Sequence, residues 1–172
     1  MFENILLCPN CKQPIVDVYQ PSCTICGNNY GNNDGILNLT EDDGAADFTS
    51  TSEKKYIGFD LYAKSYNKTR QIGSSLLKQG VLLGQAIYDN YGKNSTVLDI
   101  GAGTGFPSVE IASKEIPVIA LDISLKMLKL LVMRAKMNKI HNIVPVRANA
   151  YQLPIMDHSI DAVTCHYLFH MF

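Results

Sequence analysis

The sequence has no apolar run long enough to cross a bilayer. No stretch approaches the roughly 18 apolar residues of a membrane span. Ile5-Leu6-Leu7 is too short for the apolar region of a secretory leader. No membrane contact is expected, and the expected location is cytoplasmic. A dominant charge is also missing: 15 Lys and Arg face 16 Asp and Glu, for a net charge of -1. That balance gives no overall pull toward nucleic acid or membrane. Internal repeats, low-complexity tracts and any motif of catalytic side chains are absent as well. The length, 172 residues, suits one domain or one domain with a small module.

What charge there is lies unevenly. Residues 1–39 carry one lysine against three acids, and residues 40–55 carry two lysines against five. Residues 56–172 carry twelve basic residues against eight acidic ones. The mildly basic body could favour an anionic substrate, but a solvated surface is the better reading. Three segments are expected: a small module at 1–39, an acidic linker at 40–55 and a larger α/β domain at 56–172.

The first module is organised by cysteine. Cys8-Pro9-Asn10-Cys11 is followed, eleven residues later, by Cys23-Thr24-Ile25-Cys26. Each C-x2-C pair lets one tight turn present two sulfurs to the same ion. In a reducing compartment, two such pairs read as a tetrahedral Zn2+ site rather than as disulfides. Four filled positions leave none open, so Cys8, Cys11, Cys23 and Cys26 are expected to be structural ligands. A module this small has too little core to fold without such a staple. Ile15–Tyr19 alternates enough to be expected as a strand, and Ile36–Leu39 as a short closing strand. The stretch LLCPNCKQPI…CTICGNNYGNNDGILNL resembles the zinc ribbon of small tRNA-methyltransferase activator proteins. Ribbons of that kind also occur fused ahead of methyltransferase domains.

Past the linker, Phe59, Tyr62, Ala63 and Tyr66 make one helical stripe in Tyr56–Arg70. The stripe is either a packing face or a cover for a ligand pocket. Ser74–Tyr91 reads as a second helix, with Leu76, Leu77, Val81, Leu83, Ala86 and Ile87 as expected buried positions. Its Gly80 and Gly84 weaken the helix, or else permit close contact with a sheet. Strands are then expected at Thr96–Ile100, Ile116–Leu121, Asn142–Arg147 and Ser159–Cys165. Helices are expected at Phe106–Lys114 and Leu125–Asn138, the latter capped by Ser124. Alternating strands and helices predict a doubly wound, mostly parallel α/β sheet.

In such a sheet, ligands bind beyond the carboxyl ends of the strands. The first strand ends in Asp99-Ile100-Gly101-Ala102-Gly103-Thr104-Gly105. The glycines are spaced G-x-G-x-G, unlike the dinucleotide pattern G-x-G-x-x-G. An acid just ahead of the turn would repel a pyrophosphate, but it suits a ligand with a cationic amine. Asp122, seventeen residues past Gly105, ends the second strand. Its carboxylate can accept from both hydroxyls of a ribose. Asn149-Ala150 follows the third strand, and Cys165-His166 lies at the end of the fourth.

The segments VLDIGAGTG, ALDIS and ANAYQLPIMDHSIDAV resemble, in order and spacing, the nucleotide half of class I S-adenosylmethionine-dependent methyltransferases. The resemblance runs from about Tyr56 to Phe172. It implies an incomplete Rossmann-like methyltransferase fold, strands 1 to 4, behind the ribbon, with S-adenosylmethionine as cofactor. Asp99, Gly101, Ala102 and Gly103 would line the methionine end. Asp122 would hold the ribose, Ile123 would pack on the adenine, and Asn149 would accept from the adenine amino group beside Ala150. Cys165 would border the same site. The family often has Asp where this chain has Asn149.

A full fold of this kind has seven strands, so the chain is expected to be a fragment of a longer enzyme or a product that leans on a partner. A protein partner or a second copy could then cover the sheet edge. The methyl acceptor is a small molecule or an RNA base, and no catalytic residue is legible. The alternative is a non-catalytic scaffold whose ribbon docks a partner.

Overall fold

The computed structural model describes residues 2, 4–40 and 70–166, of which 70–76 by backbone alone, so the expected burial of Leu76 lies outside it. The helical stripe expected at 56–69, and the linker apart from Thr40, lie outside these residues. Strands β1 (Gly31–Asn33) and β2 (Ile36–Asn38) form a hairpin. Helix α1 is Arg70–Tyr91, β3 is Val97–Ile100, α2 is Phe106–Ala112 and β4 is Val118–Asp122. Helix α3 is Leu125–Met137, β5 is Ile143–Arg147, and β6 is Ala162–Thr164. A single 3-10 turn, Ala150–Gln152, precedes β6.

These strands make one six-stranded sheet in the order β1-β2-β5-β4-β3-β6. All pairings are parallel except the β1–β2 hairpin. The mostly parallel α/β sheet expected from the alternation is therefore present. From β3 the chain steps outward through β4 to β5, then returns to place β6 on the other side of β3. The strand order thus reverses between β3 and β6, which is where such sheets open a ligand crevice.

Alternate residues of each strand feed two cores. Val97, Val118 and Ala120 face a cluster with Ile87, Ile111, Leu128 and Leu131, drawn from all three helices. Leu98, Ile119, Leu121 and Val146 face the opposite cluster. That second cluster is completed by Leu6, Cys8, Ile15, Cys23, Leu37 and Leu39 of the cysteine module. Among the described residues, helices cover one face of the sheet and the ribbon covers the other.

The ribbon is also stitched to the sheet by backbone hydrogen bonds. Strand β2 pairs with β5 at Leu37–Val146 and Asn38–Arg147, and the Leu39 amide donates to the Arg147 carbonyl at 2.8 Å. At its other end, the Leu7 amide donates to the Pro154 carbonyl at 2.9 Å, and the Met156 amide donates to the Ile5 carbonyl at 2.8 Å.

Two local expectations are corrected. Ile15–Tyr19 is not a strand. The Asp17 carboxylate accepts from the amides of Tyr19, at 2.7 Å, and Gln20, which closes a turn there instead. Ile15 alone is buried, while Val16 and Tyr19 stand in solvent. The buried face of α1 is also rotated from the expected one. Leu77, Val81 and Ala86 are exposed, Leu83 is half-buried, and Gly80, Gly84 and Ile87 point inward. The glycines face α2 rather than the sheet. A methyl group on Gly84 would sit 3.0 Å from the Glu110 carbonyl oxygen, and one on Gly80 would sit 2.9 Å from that of Phe106. The two helix backbones touch, and only glycine leaves room for that.

Candidate functional site

The turn after β3 is a run of glycines whose amides are held by the neighbouring strand end and by the turn itself. Gly101, Gly103 and Gly105 all have positive φ. Gly105 is the most constrained, because it caps α2 in the left-handed region at φ +80°, and a Cβ there would lie 2.6 Å from Leu131 Cγ. Pro107 follows in the first turn of α2, where its missing N–H costs nothing. The Gly101 and Ala102 amides donate to the Leu121 carbonyl at 2.8 and 3.0 Å. The turn is thereby tied to β4 as well as to β3.

Asp122, at the end of β4, completes this tie. Its Oδ2 accepts from the Gly103 amide at 2.8 Å, and its Oδ1 accepts from the Ser124 amide at 2.8 Å. The expected cap role falls to Ser124, whose Oγ accepts from the Met127 amide. Ile123 is half-buried, and its carbonyl accepts from Arg147 Nε at 3.1 Å. Beyond β5, the exposed Asn149 accepts from the Tyr151 amide at 3.0 Å and so caps the 3-10 turn. Ala150 beside it packs against the ribbon-side core. Asp122, Ile123, Asn149 and Ala150 therefore stand at the carboxyl ends of β4 and β5, next to the glycine turn.

Asp99 sits differently from its neighbours. It is fully buried inside the sheet and accepts from Ser108 Oγ of α2 and from Thr164 Oγ1 of β6 at 2.8 Å. Burial pushes its carboxyl up to about 6, against the opposing effect of those two hydroxyls and with a further upward push from Asp122. It joins β3, α2 and β6 at the crossover point. Cys165, just past β6, is half-buried, and its thiol is raised by burial and then by the charge of Asp99. That rules against a reactive thiolate.

Arg134 and Arg147 are contacts that sequence reasoning missed. Arg134 Nε donates to the Thr104 carbonyl at 3.1 Å, and its guanidinium lies 3.5 Å from the centroid of the Phe106 ring. It clasps the glycine turn from α3. Arg147 is buried and braces the Asp122–Ser124 turn through Ile123. Both lie far in sequence from what they hold, and a basic residue on an amphipathic helix looks like a solvated one.

The four paired cysteines do meet. Their sulfurs all lie within 4.8 Å of one another, with Cys8–Cys26 at 3.6 Å and Cys11–Cys23 at 3.4 Å. Disulfides would require about 2.05 Å. A tetrahedron with Zn–S bonds of about 2.3 Å has sulfur–sulfur edges of about 3.8 Å, so the cluster is of the size a Zn2+ ion needs. Tyr30 Oη stands 2.9 Å from Cys8 Sγ, placed to donate to a thiolate.

Residues 97–172 match the family model described as a methyltransferase domain. No curated protein sequence matches the chain. Among solved structures, the chain is similar to a Methanococcus maripaludis protein assigned to the S-adenosyl-L-methionine-dependent methyltransferases. That alignment has a TM-score of 0.55 and 21% identity, and it covers 64% of this chain and 52% of that one. An Aquifex aeolicus SAM-dependent methyltransferase aligns over 51% of this chain and 50% of that one, with 20% identity and a TM-score of 0.45. M. jannaschii TYW2, solved in complex with AdoMet, aligns at 24% identity and a TM-score of 0.42, over 49% of this chain and 40% of that one. The chain thus spans about half the length of the first of these proteins, 52%. Residues 97–172 thus match a methyltransferase-domain model, and the described residues share the fold of the M. maripaludis protein.

Proposed function

We propose that the chain binds S-adenosylmethionine at the carboxyl ends of β3, β4 and β5, as the cofactor-holding part of a methyltransferase acting on a small molecule or an RNA base. One observation carries the reading: the glycine turn and the Asp122 carboxylate are hydrogen-bonded to each other across the ends of β3 and β4, beside the β3–β6 point where the strand order reverses. Asp122 is placed to accept from ribose hydroxyls, as a carboxylate with two oxygens and no proton. Ile123 offers an apolar flank for the adenine, and Asn149 offers an amide oxygen beside Ala150. Gly101, Ala102 and Gly103 would border the methionine part. Asp99 is assigned the supporting role of fixing the turn against α2 and β6, with Cys165 as a packed neighbour.

The bound cofactor supplies an activated methyl group on a sulfonium, an excellent leaving group. What the chain must add is alignment of the acceptor and exclusion of water. No general base is needed from the described residues to hold the cofactor. Isothermal titration of the folded chain with S-adenosylhomocysteine tests the reading. Saturable binding supports it, and no detectable heat or competition at millimolar ligand would refute it.

The Cys8, Cys11, Cys23 and Cys26 cluster is proposed to hold one Zn2+ as a structural ion. The support is the near-tetrahedral spacing of four sulfurs, two of them buried. Metal analysis of the purified chain should find one zinc per chain, and a value near zero after purification in zinc would refute it.

A further inference from the structure

The ribbon touches the sheet at the places that frame the proposed cofactor site. Its first arm, Ile5–Leu7, pairs with residues 154–156, just beyond the Asn149–Gln152 turn. Its last strand, β2, pairs with Val146 and Arg147, just before that turn. The loop that carries Asn149 and Ala150 is therefore held on both sides by the two ends of one metal-binding module.

The connection continues inward. The Arg147 carbonyl accepts from Leu39, while its side chain donates to the Ile123 carbonyl. The Ala148 amide donates to the Asp122 carbonyl at 3.2 Å. Under the strands, ribbon residues Leu6, Leu37 and Leu39 share a core with Leu98 and Leu121, which directly precede Asp99 and Asp122. Apart from the core it shares with the sheet, the ribbon has little of its own to bury, so its order depends on the ion as well as on that contact.

We infer that the ribbon is a metal-dependent clamp on the adenine side of the cofactor crevice, so that zinc occupancy and cofactor affinity are thermodynamically coupled. The inference rests on the cofactor and zinc readings above. Losing the ion frees residues 5–7 and 36–39, and with them both supports of the 148–153 loop. Binding weakens because the loop must then be ordered by the ligand itself. Linkage makes the effect reciprocal: bound cofactor must hold the zinc more tightly.

The test uses the full zinc-loaded chain. Zinc is drawn off with a graded chelator and followed with a colorimetric zinc dye, with and without saturating S-adenosylhomocysteine. Amide hydrogen exchange is read in parallel. The expected result is a shift of the chelator midpoint by about tenfold, the size typical of coupled sites. Stripping should also speed exchange in residues 144–156 while residues 97–100 and 118–121 stay protected. An unmoved midpoint in a chain that binds the ligand overturns the inference, as does a chain that retains no zinc. If the zinc-loaded chain binds no S-adenosylhomocysteine, the cofactor reading fails and exchange alone decides. Faster exchange in 144–156 as well as in the ribbon, with 97–100 and 118–121 still protected, then sustains the metal-dependent clamp, and exchange unchanged in 144–156 or raised throughout overturns it.

Discussion

The amide of Gly103 donates to Asp122 Oδ2 across 2.8 Å, joining the turn after β3 to the end of β4. The other oxygen of the same carboxylate holds the Ser124 amide that starts α3. One side chain thus sets the relative position of two backbone segments at the proposed cofactor site. Asp122→Asn keeps the volume but leaves a single acceptor oxygen. Hydrogen bonds to a charged group contribute about 1.5–3 kcal/mol each. The variant should therefore bind S-adenosylhomocysteine about 10- to 100-fold more weakly by calorimetry. Affinity within twofold of the parent would remove Asp122 from the site.

Gly105 and Gly103 share a positive φ but not their surroundings. A methyl group on Gly105 would meet Leu131 Cγ at 2.6 Å, whereas one on Gly103 has nothing nearer than 3.9 Å. Gly103→Ala should cost only the conformational strain, about 1 kcal/mol. Gly105→Ala adds overpacking, for a total of about 2–4 kcal/mol. Urea midpoints of the two variants should separate in that order, and equal midpoints would contradict the packing argument.

Asp99 supplies a pH dependence whose sign can be worked out. Its carboxyl rises from 3.8 to about 6 on folding, chiefly through burial. Between those values the folded chain holds a proton that the unfolded chain has released. Stability from this group is therefore present below about pH 4 and lost as the pH rises through about 6. The loss is about 3 kcal/mol for a shift of this size. Asp99→Asn removes it, so the stability of the variant relative to the parent should climb by up to that amount between pH 4 and pH 7. Urea titrations at both pH values check the difference, and a flat difference would show that Asp99 does not titrate in this range.

Cys8 and Cys23 are the buried members of the sulfur cluster. Replacing either with serine should bring bound zinc from one per chain toward none, because a three-sulfur site loses a structural ligand. The first 39 residues should then lose their protected amides. Zinc analysis and hydrogen exchange read the two effects separately. Full zinc content in Cys23→Ser would exclude that residue as a ligand.

The features legible in the sequence are the local ones. Two C-x2-C pairs announce a four-sulfur cluster because each pair is one turn. The apolar runs at Val97–Ile100 and Val118–Asp122 read as strands because they are short, buried and bounded by turn residues. Gly101–Gly105 reads as a strand-to-helix turn because only glycine adopts successive left-handed positions cheaply. The buried face of α1 is not legible in the sequence, because leucine spacing reports where apolar residues lie, not which side a neighbouring backbone approaches. The Ile15–Tyr19 alternation was overruled by one carboxylate, Asp17, closing a turn on its own chain.

The sequence by itself determined the cysteine cluster, the glycine turn, the acid at Asp122 and the alternation that makes a parallel sheet. Each follows from residues within one turn or one strand of each other, or from a repeated pattern. Only the tertiary structure decided that the ribbon lies across the sheet face opposite the helices, that Leu39 bonds to Arg147, that Arg134 stacks on Phe106, and that Asp99 faces Ser108 and Thr164. All but the Asp99–Ser108 contact join segments tens of residues apart. They arise when apolar faces close on one another and bring polar groups into reach, and no local spacing encodes that geometry.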